Sequence, residues 1–225
     1  MSIWLYLSVA VNVLLGVAYI KLGLSKKDKN RRIPYIFWGI AFLALFLWTV
    51  VALLYRNDII NSNLATPFTL VAFVLFIIFM YLGTIFIFTK TIKIGLTYFL
   101  LAPVVLMPVI LSFISADSIL AGALPGFLII IPIDVVLAIL SWFLGISSFP
   151  NPKKLFTWWI IGIVWILNIV HTAIVSISPI FGQTTVEMLY TVPSTVIFAA
   201  TMGAVFQAAF LFLLYLNIFA KEESF

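Results

Sequence analysis

Two ionisable side chains, Asp134 and His171, stand inside otherwise apolar stretches of this sequence. Such residues cost several kcal/mol in lipid unless something pairs with them, which makes them functional candidates. Asp134 lies 17 residues before Asn151, and Asn168 lies 17 residues after it. Asn151 belongs to a Phe-Pro-Asn-Pro turn at 149–152, so two antiparallel helices joined there hold Asp134 and Asn168 at one depth. His171 is one turn, about 5 Å, further from that turn. Asn168, His171 and Thr172 share a helix face at i, i+3 and i+4, with Ser176 beyond them. The same count through a second turn near Thr185 brings Thr201 level with Asn168, and puts Gln207 about 9 Å further in. The candidate site is therefore a small polar pocket of Asp134, Asn168, His171 and Thr201. An Asp–His pair in such a place can relay protons or bind a cation or a polar headgroup. The competing reading is structural: Asp134 pairs with Asn168 or His171 and sets helix register.

Other chemistries are excluded by residue count. A single histidine cannot supply the paired axial ligands of a transmembrane b-type haem or a His-rich metal centre. One intramembrane carboxylate cannot build the twin-aspartate magnesium site of prenyl or phosphoalcohol transferases. Ser147 and Ser148 lie near one membrane face and His171 near the other, so a serine-protease dyad fails on depth. Cysteine is absent, which rules out disulfides, thiolate metal sites and cysteine nucleophiles. Its absence also fits a thermophile. No enzymatic activity and no metal site are expected, and no cofactor is specified.

The elements that must position these residues are helices in a bilayer. Hydrophobic residues make up 65% of the 225 and charged ones 8%, with a mean hydropathy of +1.29. A water-soluble domain carries about a quarter charged residues. Seven apolar stretches, at 3–24, 35–55, 67–89, 96–115, 126–147, 155–180 and 191–219, each run roughly 20 to 29 residues, against about 20 for a spanning helix. Of the 12 basic residues, all but Arg56 fall on one side of that alternation. The positive-inside rule then puts the amino terminus outside and the carboxyl terminus in the cytoplasm. The expected fold is all-α: one polytopic seven-helix bundle over residues 1–225 in the cell membrane. The formal charge of +5 reads as the cytoplasmic rims of helices facing lipid headgroups, with no nucleic-acid partner.

Within this frame, 25–34 (SKKDKNRRIP) reads as a basic topology anchor, and Trp4 and Tyr6 as outer interfacial anchors. Pro67 is placed to open the third helix. Pro103 and Pro108 in the fourth span and Pro132 in the fifth should kink or loosen their helices. Small residues at four-residue spacing mark two packing stripes: Ser8, Asn12 and Gly16 in the first span, and Ala200, Ala204 and Ala208 in the seventh, with Gly203 beside them. The stripes serve packing within the bundle or an interface with another subunit or copy. The 22 phenylalanines read as lipid-facing bulk.

The span count and the texture of the first span, Ile3 to Leu24, resemble microbial rhodopsins. That resemblance implies a Schiff-base lysine midway along the seventh helix and an aspartate in the third. Thr191 to Phe219 contains no lysine, with Phe206 or Gln207 at its level, and Phe68 to Thr89 contains no acid. Retinal photochemistry is set aside on that ground and no family is assigned. Short loops and few buried charges point first to a non-catalytic subunit of a larger membrane assembly, respiratory or transport-related. The partners expected are lipids and either other membrane subunits or copies of this chain. A small channel or transporter using the Asp–His site is the alternative. A seven-helix sensor, opsin-like without the lysine and with Trp142, Trp158, Trp159 and Trp165 around an apolar ligand, is a third.

Overall fold

Where lipid replaces water, backbone amides and carbonyls find partners only within their own segment, so an apolar chain of this kind folds as helices. The computed structural model describes residues 2–88, 126–178, 182 and 185–219, and its regular elements are all helical. They are α1 (Ser2–Ser25), α2 (Lys29–Arg56), α3 (Ser62–Phe88), α4 (Ile131–Ser147), α5 (Pro152–Ser176), α6 (Thr185–Tyr190) and α7 (Pro193–Phe219). Five of these, α1, α2, α3, α5 and α7, are long and apolar enough to cross a membrane. One turn of π-helix, Gly126–Ile130, leads directly into α4. Together they extend about 30 Å, close to the hydrocarbon thickness. The expected span at 96–115, with Pro103 and Pro108, lies outside the described residues. The short α6 is a connector, so the seven described helices are not the seven expected spans.

Local chemistry explains where the helices start and stop, and it shifts two expected boundaries. Asn61 caps α3, its Oδ1 accepting from the Leu64 amide at 3.1 Å. The helix therefore opens at Ser62, and Pro67 sits in its second turn rather than at its start. Likewise α2 begins at Lys29, so the basic segment forms the first turns of a helix that continues through Pro34. α2 ends in a Schellman turn: Ile59 N bonds Leu54 O, Asp58 N bonds Tyr55 O, and Asp58 takes the left-handed position at φ 55. Asn151 caps α5 through Lys153 N and Lys154 N, with Pro152 at the first helical position. The π-turn has a cause in Pro132. Proline has no N–H, so the carbonyl four residues earlier is left without its partner, and the winding loosens there.

Around the bundle α1 packs on α2, α2 on α3, α3 on α4, α4 on α5, α5 on α7, and α7 returns to α1. Glycines set the closest of these approaches. A Cβ on Gly39 would stand 2.7 Å from the Gly16 carbonyl oxygen, and one on Gly16 would stand 2.7 Å from Leu43 Cδ2. α1 and α2 thus meet backbone to backbone. In the α4–α5 seam the two helices exchange tryptophans for glycines, Trp142 covering Gly162 and Trp159 covering Gly145. Trp38 covers Gly83 in the same way between α2 and α3.

The centre is aromatic. Tyr19, fully buried, stacks near Phe42 and Tyr35 and meets Trp38 and Phe210 edge-on, with centroids 5.8 to 6.3 Å apart. Its hydroxyl donates to the Phe210 carbonyl at 2.8 Å, tying α1 to α7. Phe42, Phe76, Phe206 and Phe210 are buried here, which corrects the reading of the phenylalanines as lipid-facing bulk. Such edge-on and offset pairs add roughly 0.5–1.5 kcal/mol each beyond contact area. In lipid, where water provides no drive between helices, that added attraction matters more. Phe143, Phe156 and Phe212 do face outward.

The glycine contacts have a measurable consequence. Gly39→Ala forces a methyl against the α1 backbone, and overpacking of this sort costs about 1–3 kcal/mol. The purified variant should lose its folded form several degrees lower on heating, whereas Gly203→Ala, whose Cβ would meet nothing within 4 Å, should not. Equal melting of the two variants would show that the α1–α2 approach is loose.

Candidate functional site

Between α2, α3, α5 and α7 lies a cavity of about 130 Å³. Its wall is mostly apolar and carries five aromatic side chains: Trp48 of α2, Phe73 and Phe76 of α3, Trp165 of α5 and Phe206 of α7. The polar groups come chiefly from one face of α5, where Asn168, His171, Thr172 and Ser176 follow one another at helical spacing. Thr69 of α3 adds a hydroxyl. Gly203 leaves part of the α7 wall open, because nothing lies within 4 Å of where its side chain would begin.

The roof is α6. Leu189 lines the cavity, and Tyr190 beside it shares a 3.1 Å hydrogen bond with the Thr69 hydroxyl. Tyr190 also packs on Trp48 with centroids 5.7 Å apart. Burial pushes the Tyr190 phenol above its ordinary range, and the Thr69 bond offsets only part of that shift. The floor is closed by Phe206, whose ring lies 5.1 Å from Trp165 and 4.7 Å from Phe210.

Asp134 and Asn168 meet. The Asn168 amide donates from Nδ2 to Asp134 Oδ2 at 2.7 Å, across the α4–α5 seam. Asp134 is fully buried and sits behind Asn168 rather than on the cavity wall, and its Oδ1 has no partner among the described residues. His171 is 6% exposed and lines the cavity. Its ring hydrogen-bonds the backbone of Thr195 at the start of α7 and leans on Phe198, 5.8 Å away. Its Nε2 has no partner among the described residues. In a neutral imidazole one nitrogen donates and the other accepts, so the site holds a polar atom that is placed and buried but unused.

Thr201 is not part of this pocket. It is exposed, and its hydroxyl donates back to the Ile197 carbonyl at 2.8 Å. Residue counting sets a level along a helix but not the direction in which a side chain points. At that level Met202 and Gly203 face the cavity instead. The α7 stripe divides similarly: Ala200 and Ala204 are half-buried and Ala208 is exposed. Of the tryptophans, Trp165 lines the cavity and Trp158 is buried in the aromatic core, while Trp142 and Trp159 cover glycines in the α4–α5 seam.

The α1 stripe belongs to a second polar cluster deeper in the bundle. Gln207 Nε2 donates to Asn12 Oδ1 and to Ser8 Oγ, both at 2.8 Å, and Asn12 Nδ2 donates to Thr49 Oγ1 at 3.2 Å. Gly16 faces α2 instead. The network joins α1, α2 and α7, with Asn12 fully buried. Two amide side chains in apolar spans are the sequence signal for it; Thr49 carried none. Its bonds are made among its own members, so it reads as packing. Interhelical hydrogen bonds in membranes average about 0.6 kcal/mol, so Gln207→Leu should lower stability by about 1 kcal/mol. Adding Asn12→Leu should cost less than the sum of the single changes. Strict additivity in detergent unfolding would mean that the two amides do not interact.

The chain matches no family model, no curated protein and no solved structure.

Proposed function

We propose that this chain is a non-catalytic, multi-pass protein of the cell membrane that binds a small, mainly apolar molecule between the outer ends of its helices. The observation that carries this reading is His171 Nε2, buried and unpaired on the wall of an aromatic cavity. Ligand sites are concave, mostly apolar and marked by a few placed polar groups. This cavity fits that description, and a sensor function follows most directly from it. A small-molecule site near the ends of α5, α6 and α7 would couple ligand to the angle between those helices.

The same geometry argues against conduction. Inward of the cavity, Phe206, Phe210, Trp158, Trp38 and Tyr19 pack ring against ring. A pathway for ions or protons needs polar groups where these rings stand. A subunit of a respiratory or transport assembly rests on short loops and few buried charges alone. The proposal includes seven crossings with the amino terminus outside, as the distribution of basic residues indicates.

Two measurements check this. Fluorobenzene, followed by fluorine NMR in nanodiscs and corrected for empty nanodiscs, should bind the wild type. Gly203→Val, which fills the open wall, should weaken that binding about tenfold or more, the loss of about 1.4 kcal/mol or more. Binding that is indifferent to Gly203→Val would sink the reading. For orientation, the absence of cysteine makes single labels clean. Asn63→Cys should react with an impermeant maleimide on intact cells and Lys27→Cys only after lysis; the reverse pattern would invert the bundle.

A further inference from the structure

The hydrogen-bonding state of His171 specifies which polar group a ligand has to bring. The ring bonds the Thr195 backbone, and Nε2 is the nitrogen without a partner, so the bonded nitrogen is Nδ1. The Thr195 group that Nδ1 meets is its carbonyl, since the bond is of the kind that favours a protonated ring nitrogen, as a backbone acceptor does and an amide N–H does not. A carbonyl only accepts, so Nδ1 carries the proton and Nε2 presents a lone pair to the cavity. Asn168 spends one amide N–H on Asp134, and the Thr172 and Ser176 hydroxyls on the same wall can accept or donate. The demand for a donor therefore comes from Nε2 of His171.

Size gives a second guide. An apolar cavity of about 150 Å³ accommodates benzene, and this one measures about 130 Å³. A single ring is the guest nearest that size. Trp165, Phe76 and Phe206 line that volume; Phe206 meets the other two edge-on, and Trp165 and Phe76 stack at 29°, which offers a flat guest both ring faces and ring edges.

We infer that the cavity selects single-ring molecules bearing a hydroxyl, phenols and hydroquinones, whose O–H donates to His171 Nε2 while the ring lies among Trp165, Phe76 and Phe206. This rests on the reading of the cavity as a ligand site. It adds a direction to that reading: the ligand donates and the protein accepts. A ketone or quinone of the same size offers only acceptors and would leave Nε2 facing another lone pair. The reduced and oxidised forms of one ring are thereby told apart.

A matched set of probes tests this in the full-length protein in nanodiscs. 4-Fluorophenol and 4-fluorotoluene differ by a hydroxyl in place of a methyl, and 4-fluorobenzaldehyde carries an acceptor only. The phenol should bind about tenfold more tightly than the toluene, as expected for one hydrogen bond that relieves a buried unpaired group. The aldehyde should bind no better than the toluene. His171→Leu should bring phenol and toluene within about twofold of each other, since the net worth of a hydrogen bond is about 1 kcal/mol. As the chain has one histidine, nitrogen-15 labelling of histidine reports His171 alone without any substitution. The wild type should show a protonated Nδ1 and a bare Nε2, with the Nε2 resonance moving when the phenol is added. Equal binding of phenol and toluene, both abolished by Gly203→Val, would overturn the hydroxyl preference and keep the ligand site. A preference for the aldehyde, or a protonated Nε2, would overturn the direction of the bond. No binding by any probe would overturn the ligand site as well.

Discussion

Lipid offers no hydrogen-bonding partners, and most of this architecture follows from that. Backbone groups close their bonds inside helices, and several polar side chains that enter the bundle pair with one another. Ser8, Asn12, Thr49 and Gln207 do so across α1, α2 and α7, and Asp134 does so with Asn168 across α4 and α5. Even the hydroxyls of Thr49, Thr84, Ser147 and Ser148 fold back on carbonyls one turn earlier. Five buried polar atoms among the described residues lack a partner, on Thr66, Asp134, Ser141, His171 and Ser178, and of these residues His171 is the one that lines the cavity. A guest molecule is the partner its position invites.

The same constraint shapes how helices adhere. Apolar side chains gain little from leaving lipid for protein, so contact depends on close fit and on ring geometry. Glycines at 16 and 39 let α1 and α2 approach backbone to backbone. Tryptophan over glycine gives the α2–α3 and α4–α5 pairs an interlocking shape. The aromatic centre then fills the inward part of the bundle. It leaves a gap where α7 bears the small residues Gly203 and Ala199 beside Trp165 and Asn168 of α5. Cavity and core are thus two outcomes of one packing problem: rings that fill the space completely at the level of Phe210 and incompletely at the level of Met202.

Much of the frame was legible in the chain. Length and apolarity of segments specify membrane helices because the hydrocarbon thickness is a fixed ruler. Antiparallel counting from Asn151 put Asp134 beside Asn168 because helix rise is constant and the connecting turn is short. Helix boundaries were less legible. Pro67 and Pro34 look like starts, yet the capping group of Asn61 and the continuation of α2 through the basic segment moved both starts upstream. Phenylalanine was misjudged for a related reason. In a bilayer its hydrophobicity says nothing about whether it faces lipid or protein, since both are apolar.

Composition and spacing by themselves determined the solvent this chain requires and the shared level of Asp134 and Asn168. Tertiary structure decided the rest: which way each side chain turns at its depth. Thr201 and Gly203 differ by two positions, yet one faces outward and the other opens the cavity, because two residues rotate a helix by about 200°. Likewise no sequence count shows that one nitrogen of His171 is satisfied and the other is not. That depends on where the first turn of α7 sits relative to α5, a matter of packing among segments far apart in the chain.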